Sequence, residues 1–410
     1  MEAFQTALQN YAELAVKIGV NVQKGQTLVV NAPVSALDFV RQVVKKAYEA
    51  GAKTVYVEWN DQVISRMAYD YAPMEAFEEF PTWKADGMEK LASQGAAFLS
   101  IAAPNPELLK GVDPKKIALA QKTAGQAMKA YAKYTKAGKV SWSIVAVPTP
   151  EWASKVFPDL DEAEAIDALW KQIFHVTRVA DGKAVENWQT HTNNIAQKLA
   201  FLNDKQLKSL HYQSSGTDLT LALPENHVWM GGSVANTDGV NFVPNIPTEE
   251  VFCAPKKTGV NGTVRSTKPL NYGGQLIENI AITFKEGRIV DFHADTGYEV
   301  LKNLIETDEG SHYLGEIALV PHQSPISDTG LIFFNTLFDE NASCHLAIGS
   351  AYAMNLIDGG KMSDEELEAH GLNTSITHVD FMIGSPDLNI EGITASGESI
   401  TIFKNGNWAI

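Results

Sequence analysis

A chain of 410 residues is too long for one hydrophobic core, so at least two domains are expected. A net charge of −16 excludes the basic surface that nucleic acid requires and disfavours anionic membranes. Two cysteines, Cys253 and Cys344, are too few for a disulfide framework and suit a reducing cytoplasm.

The first twenty residues, MEAFQTALQNYAELAVKIGV, read as an amphipathic helix. They lack the basic start and continuous apolar run of a secretory signal, and no later stretch approaches the roughly 18 apolar residues of a membrane span. Four short, almost wholly apolar runs follow: TLVVNAP (Thr27–Pro33), TVYVEW (Thr54–Trp59), AAFLSIAAP (Ala96–Pro104) and SWSIVAVP (Ser141–Pro148). Such runs suit strands of a parallel sheet buried on both faces. Helical spacing fills the gaps over Ala36–Ala50, Val63–Tyr71, Met88–Ser93 and Pro114–Lys136, so the first half is expected to be an open, mostly parallel α/β domain. It carries neither GxGxxG nor GxxxxGK[ST], so no dinucleotide or nucleotide phosphate is indicated. A further helix spans Glu186–Leu202. From His211 onward alternating strands and turn signals, KEGR among them, indicate a β-rich, α+β second half. The expected domains are 1–195 and 196–410.

No GxSxG elbow or HExxH helix is present, which removes the commonest serine and single-zinc hydrolase patterns. Both cysteines sit in apolar surroundings and read as buried thiols. The second half instead places metal-capable side chains inside apolar strands. In SITHVDFMIG, His378 and Asp380 are two apart and share a strand face; a simple His–Asp hydrogen bond would explain the pair equally. In YLGEIALVP, Glu316 stands alone among apolar residues, so it is exposed, protonated, hydrogen-bonded or metal-bound. In SCHLAIGSAY, His345 is a ligand candidate or a satisfied core histidine, and Tyr352 follows it. NIPTEEVF reads as a short strand in which Glu249 and Glu250 face opposite ways, so one of them is expected to be buried. Three carboxylates and two imidazoles are the inventory for two divalent ions, and mixed N/O donors suit Zn²⁺, Co²⁺ or Mn²⁺.

NIPTEEVFCAP, LGEIALVP, DENASCHLAIGSAY and HVDFMIGS, in this order, resemble the M29 family of metallo-aminopeptidases, and the resemblance extends along the whole chain. It implies a metal site of Glu250, Glu316, His345, His378 and Asp380, with Tyr352 beside the ions. It also implies a cytoplasmic homodimer that removes N-terminal residues from peptides, with broad, apolar or leucine-favouring specificity and no nucleic-acid or membrane partner. The expected chemistry is hydrolysis by a water activated between two ions, with Glu316 as bridging carboxylate and Tyr352 as oxyanion donor. Glu249 is left to the opposite side, salt-bridged or solvated. The competing readings are another two-metal amide hydrolase and a non-enzymatic two-domain protein that binds a small ligand.

Overall fold

The computed structural model describes residues 2–272 and 275–410. The chain divides into two compact units. The first runs to Thr192 and takes in Ser233–Pro247; the second comprises Asn193–Gly232 and Thr248–Ile410.

In the first unit β1 (Thr27–Pro33), β2 (Thr54–Asn60), β3 (Ala97–Ala102) and β4 (Trp142–Ala146) form a parallel sheet in the order β2-β1-β3-β4. The central strand β1 is packed as its apolar run demands, with Leu28, Val29 and Val30 buried. TVYVEW departs from the expectation of burial on both faces. It is an edge strand, bonded only to β1, and it leaves Tyr56 and Trp59 exposed. Helices α1 (Glu2–Leu14) and α2 (Leu37–Glu49) bury one stripe each, and the α1 residue Tyr11 donates its hydroxyl to the carbonyl of Ala146 at 3.0 Å. Helix α3 (Gln62–Tyr71) is capped by the Asp61 side chain and buries no residue. After α4 (Thr82–Ser93), the single helix expected over Pro114–Lys136 is two, α5 (Pro114–Ala127) and α6 (Lys129–Lys136), separated at Met128. Then come α7 (Pro150–Val156), α8 (Glu162–Val176) and α9 (Ala184–Lys205), within which the division between units falls.

The second unit is built from antiparallel strands. Its first strands are β5 (Ser209–Ser214), β6 (Thr217–Ala222), β7 (Met230–Gly231), β8 (Val251–Cys253) and β9 (Val260–Arg265). The hairpin read from KEGR joins β10 (Ala281–Lys285) to β11 (Arg288–His293). Its turn residues Glu286 and Gly287 both have positive φ, and a Cβ on Gly287 would lie 1.7 Å from the Lys257 carbonyl oxygen. There follow β12 (Leu314–Leu319), β13 (His345–Gly349), β14 (His378–Met382), β15 (Asn389–Ile393), β16 (Ser399–Lys404) and β17 (Asn407–Trp408). Eight of these strands form one sheet in the order β11-β10-β9-β6-β5-β15-β16-β17, and five form a second in the order β14-β13-β12-β8-β7. One continuous apolar cluster receives side chains from both sheets, including Leu210, Ile282, Ile317, Leu346 and Phe403. That cluster occupies one face of the five-stranded sheet and leaves the other face for chemistry.

Candidate metal centre

Strand parity builds the site. Val251 and Cys253 of β8, Ile317 and Leu319 of β12, Leu346 and Ile348 of β13, and Phe381 of β14 all point into the core. The residues between them point the other way, which puts Glu316, His345, His378 and Asp380 on the opposite face. Glu316 joins that face only because of an irregularity. Leu314 is also in the core cluster, and two residues apart on a regular strand would place Glu316 beside it. The pairing of β12 with β13 shifts register between Leu314 and Glu316, and this bulge at Gly315 reverses the parity. A Cβ on Gly315 would lie 2.2 Å from the Ser350 carbonyl oxygen, so the bulge needs glycine. Between the functional side chains the floor is small: Ala347 pairs with both Glu316 and Asp380, and Ala318 pairs with His345.

The five residues converge. Nε2 of His345 lies 3.3 Å from Glu250 Oε2, 3.5 Å from Glu316 Oε1 and 4.0 Å from Asp380 Oδ1. Nε2 of His378 lies 3.5 Å from Glu316 Oε2 and 3.6 Å from Asp380 Oδ1. The groups fall into two sets of three that could each hold an ion, Glu250–Glu316–His345 and Glu316–His378–Asp380, with Glu316 common to both. Each imidazole is oriented from behind, since Nδ1–H of His345 donates to the Ser343 carbonyl at 3.0 Å and that of His378 to the Ser350 carbonyl at 2.7 Å. This leaves both Nε2 atoms turned to the carboxylates.

Three features of the cluster fit a cation. The N···O separations exceed good hydrogen-bond lengths, yet match the roughly 3.3 Å between donors on a tetrahedral ion with bonds near 2.0 Å. Asp380 Oδ1 is buried and has no hydrogen-bond partner. Among the described residues no lysine or arginine pairs with Glu250, Glu316 or Asp380, so these three carboxylates face only the imidazoles of His345 and His378. Without an ion the groups share protons instead. Burial pushes the Glu316 carboxyl up to about 7, with His345 opposing and Asp380 and Glu250 adding to the rise. Burial disfavours the His345 cation, but hydrogen bonds to Glu250 and Glu316 outweigh it and hold the imidazole well above its ordinary range.

The segment NIPTEEVF differs from its reading as a strand. Regular pairing begins at Val251, so parity does not separate Glu249 from Glu250, and both are buried. Glu250 reaches the imidazole cluster; Glu249 is buried rather than solvated, and its backbone N–H donates to Asn341 Oδ1 at 2.8 Å. Tyr352, just after β13, sets its ring 4.9 Å from that of His378. The residue is 45% exposed, but desolvation of its phenol, then the nearby carboxylates, pushes that group far above the usual range, so it stays a proton donor. Cys344 adjoins His345 in sequence but points into the core, where burial pushes its thiol up to about 12.

Sequence reasoning missed Glu340, in the turn Glu340–Ala342. It lines a cavity together with Asp380, and desolvation there, then the charges of Glu250 and Asp380, raises its carboxyl well above the usual range. Asn341 holds it, donating to Oε1 at 3.4 Å. The signal was an acid inside DENASCH, a turn where exposed acids are ordinary.

Known proteins resemble the chain along its whole length. The family described as thermophilic metalloprotease (M29) matches residues 4–408. Aminopeptidase AmpS of Bacillus subtilis (strain 168) is 56% identical over 100% of both chains, and aminopeptidase 2 of Geobacillus stearothermophilus is 55% identical over 100% of this chain and 99% of the relative. Aminopeptidase T of Thermus aquaticus is 42% identical over 100% of both. The solved structure described as wild-type AmpT from Thermus thermophilus superposes with a TM-score of 0.93 at 40% identity, over 99% of this chain and 100% of that one. With buried Glu/His groups suited to metal and relatives of this kind along its full length, the chain belongs to the M29 metalloprotease family and is a metal-dependent aminopeptidase.

Proposed function

We propose that the enzyme holds two divalent cations per subunit, Zn²⁺, Co²⁺ or Mn²⁺, through Glu250, Glu316, His345, His378 and Asp380, with Glu340 at the edge of the set. The carrying observation is the sharing of Glu316, which turns Oε1 toward His345 and Oε2 toward His378. Such ions, when bound, supply a water acidified toward neutrality and a Lewis acid for the scissile carbonyl. The chain supplies the rest. Glu316 would stand between the two ions and offset their charge, the two imidazoles are oriented by the Ser343 and Ser350 carbonyls, and Tyr352 would donate a hydrogen bond from its phenol to the developing oxyanion. The substrate is a peptide with a free, apolar N-terminal residue, and the enzyme works as a cytoplasmic homodimer. Among the described residues no helix is long and apolar enough to cross a membrane.

The test is a metal assay of the purified protein joined to hydrolysis of leucyl-p-nitroanilide. Two equivalents of transition metal, activity lost on chelation and restored by Co²⁺, Zn²⁺ or Mn²⁺, and no turnover of the N-acetylated substrate are expected. A single equivalent in fully active enzyme would overturn the two-ion reading.

A further inference from the structure

The contact between Glu250 and His345 joins two strands that are not neighbours. In the five-stranded sheet β12 lies between β8 and β13, and both run antiparallel to it. Strands β8 and β13 are therefore parallel, with about 10 Å between their axes, twice the ordinary strand spacing. No ladder hydrogen bond spans that gap, yet Nε2 of His345 lies 3.3 Å from Glu250 Oε2. Glu316, His345, His378 and Asp380 lie within paired strands, whereas Glu250 stands one residue ahead of β8.

One side chain crosses the gap. Asn341 is fully buried in the turn Glu340–Ala342, four residues before His345. Its Oδ1 accepts the backbone N–H of Glu249 at 2.8 Å, while its Nδ2 donates to the Leu337 carbonyl at 3.2 Å and to Glu340 Oε1 at 3.4 Å. A carboxamide supplies acceptor and donor from one planar group, which a carboxylate or a hydrocarbon of that size does not. The amide thus ties the approach to β8 to the approach to β13. On the other side of Glu250 the edge strand β7 closes on the chain, where a Cβ on Gly231 would lie 2.2 Å from the Glu250 carbonyl oxygen. The backbone around Glu250 is pinned from both directions.

We propose that Asn341 is a positioning residue of the metal centre: from the turn ahead of β13 it holds the backbone ahead of β8, and so sets how far Glu250 stands from His345. The inference rests on the metal reading of the cluster. The set Glu250–Glu316–His345 depends on this grip. The set Glu316–His378–Asp380 does not, because β12 and β14 are both paired directly with β13. Loss of the grip therefore weakens one ion and spares the other.

Titration of the metal-free protein with Co²⁺ against a competing chelator gives two dissociation constants. Their ratio is the readout, since a general loosening acts on both ions. Asn341→Ala removes every bond of the side chain and should weaken one equivalent by about 10–100-fold, the range for losing a group that orients a ligand, with the other nearly as in the wild type. Asn341→Asp keeps an oxygen for the Glu249 N–H and should return the ratio close to the wild-type value. Ile282→Ala, in the apolar core, is the control for lost stability, and should lower Tm without moving the ratio. If Asn341→Ala does not fold, Asn341→Ser, whose shorter hydroxyl cannot reach both partners, carries the same expectation. Constants unchanged in Asn341→Ala, both weakened in step, no recovery in Asn341→Asp, or the same change of ratio in Ile282→Ala would each overturn the positioning role. A wild type that binds no ion would instead overturn the metal reading itself.

Discussion

Glu316 is the residue on which the site turns, and its protonation gives two linked expectations. With its carboxyl raised to about 7, a neutral site holds protons where a cation would otherwise be, and His345 holds another. Ion binding therefore expels protons, and affinity for Zn²⁺ or Co²⁺ should weaken as pH falls from 8 to 6. Calorimetry in buffers of different ionisation enthalpy would read the released protons; an affinity independent of pH would show that neither Glu316 nor His345 holds a proton in the metal-free site. For the metal-free protein the sign reverses. A carboxyl whose folded value lies above the ordinary 4.5 favours the folded state at low pH, and that contribution is lost as pH rises from 4.5 through 7. Glu316→Gln removes it. The metal-free variant should melt close to the parent at pH 5 and above it at pH 8, while its activity falls by orders of magnitude. Retained activity would refute the bridging role.

At the scale of the strand, the site depends on where alternation holds and where it breaks. His378 and Asp380 were legible because β14 is regular, and two residues of separation fixed a common face. Glu316 was legible as an isolated acid but not as a residue of that face, because the bulge that turns it there depends on contact with Gly349 and Ser350, distant in sequence. The parity applied to Glu249 and Glu250 failed for the opposite reason, since those residues precede the strand. Gly315→Ala tests the bulge. Its methyl would meet carbonyl oxygens at 2.2 and 2.4 Å, so the strand must shift, at a cost of about 1–3 kcal/mol. The fold should survive with a lowered Tm, while metal content and activity fall together. Ala347→Val offers a milder version, since it crowds the floor between Glu316 and Asp380 without disturbing the bulge. A Gly315→Ala enzyme with full metal content would show that β12 can place Glu316 without its bulge.

Over the whole molecule, local pattern revealed the class of each half but not the assembly. Parallel order in the first unit and the joining of β12, β13 and β14 to β8 across 60 or more residues are set by long-range packing, which no short window contains. The return of Ser233–Pro247 to the first unit is of the same kind: Ser143 donates its hydroxyl to the Val243 carbonyl at 2.8 Å, and Ile144 bridges to Asn245. One surface feature also bears on assembly. Val63, Ile64, Met67 and Tyr71 lie on a single face of α3 and are each more than half exposed. An apolar stripe on a chain of charge −16 is a surface expected to be covered, and a second copy is the occupant that the proposed homodimer supplies. Two such chains repel at long range, so association has to come from apolar burial and should tighten with salt as the repulsion is screened. Light scattering at micromolar concentration should give about twice 44.7 kDa, with dissociation easier at 20 mM than at 500 mM salt. The double variant Ile64→Lys, Met67→Lys should be monomeric under the same conditions. A dimer that survives those two lysines unchanged would move the interface away from α3, and a monomer at every salt concentration would remove the homodimer altogether.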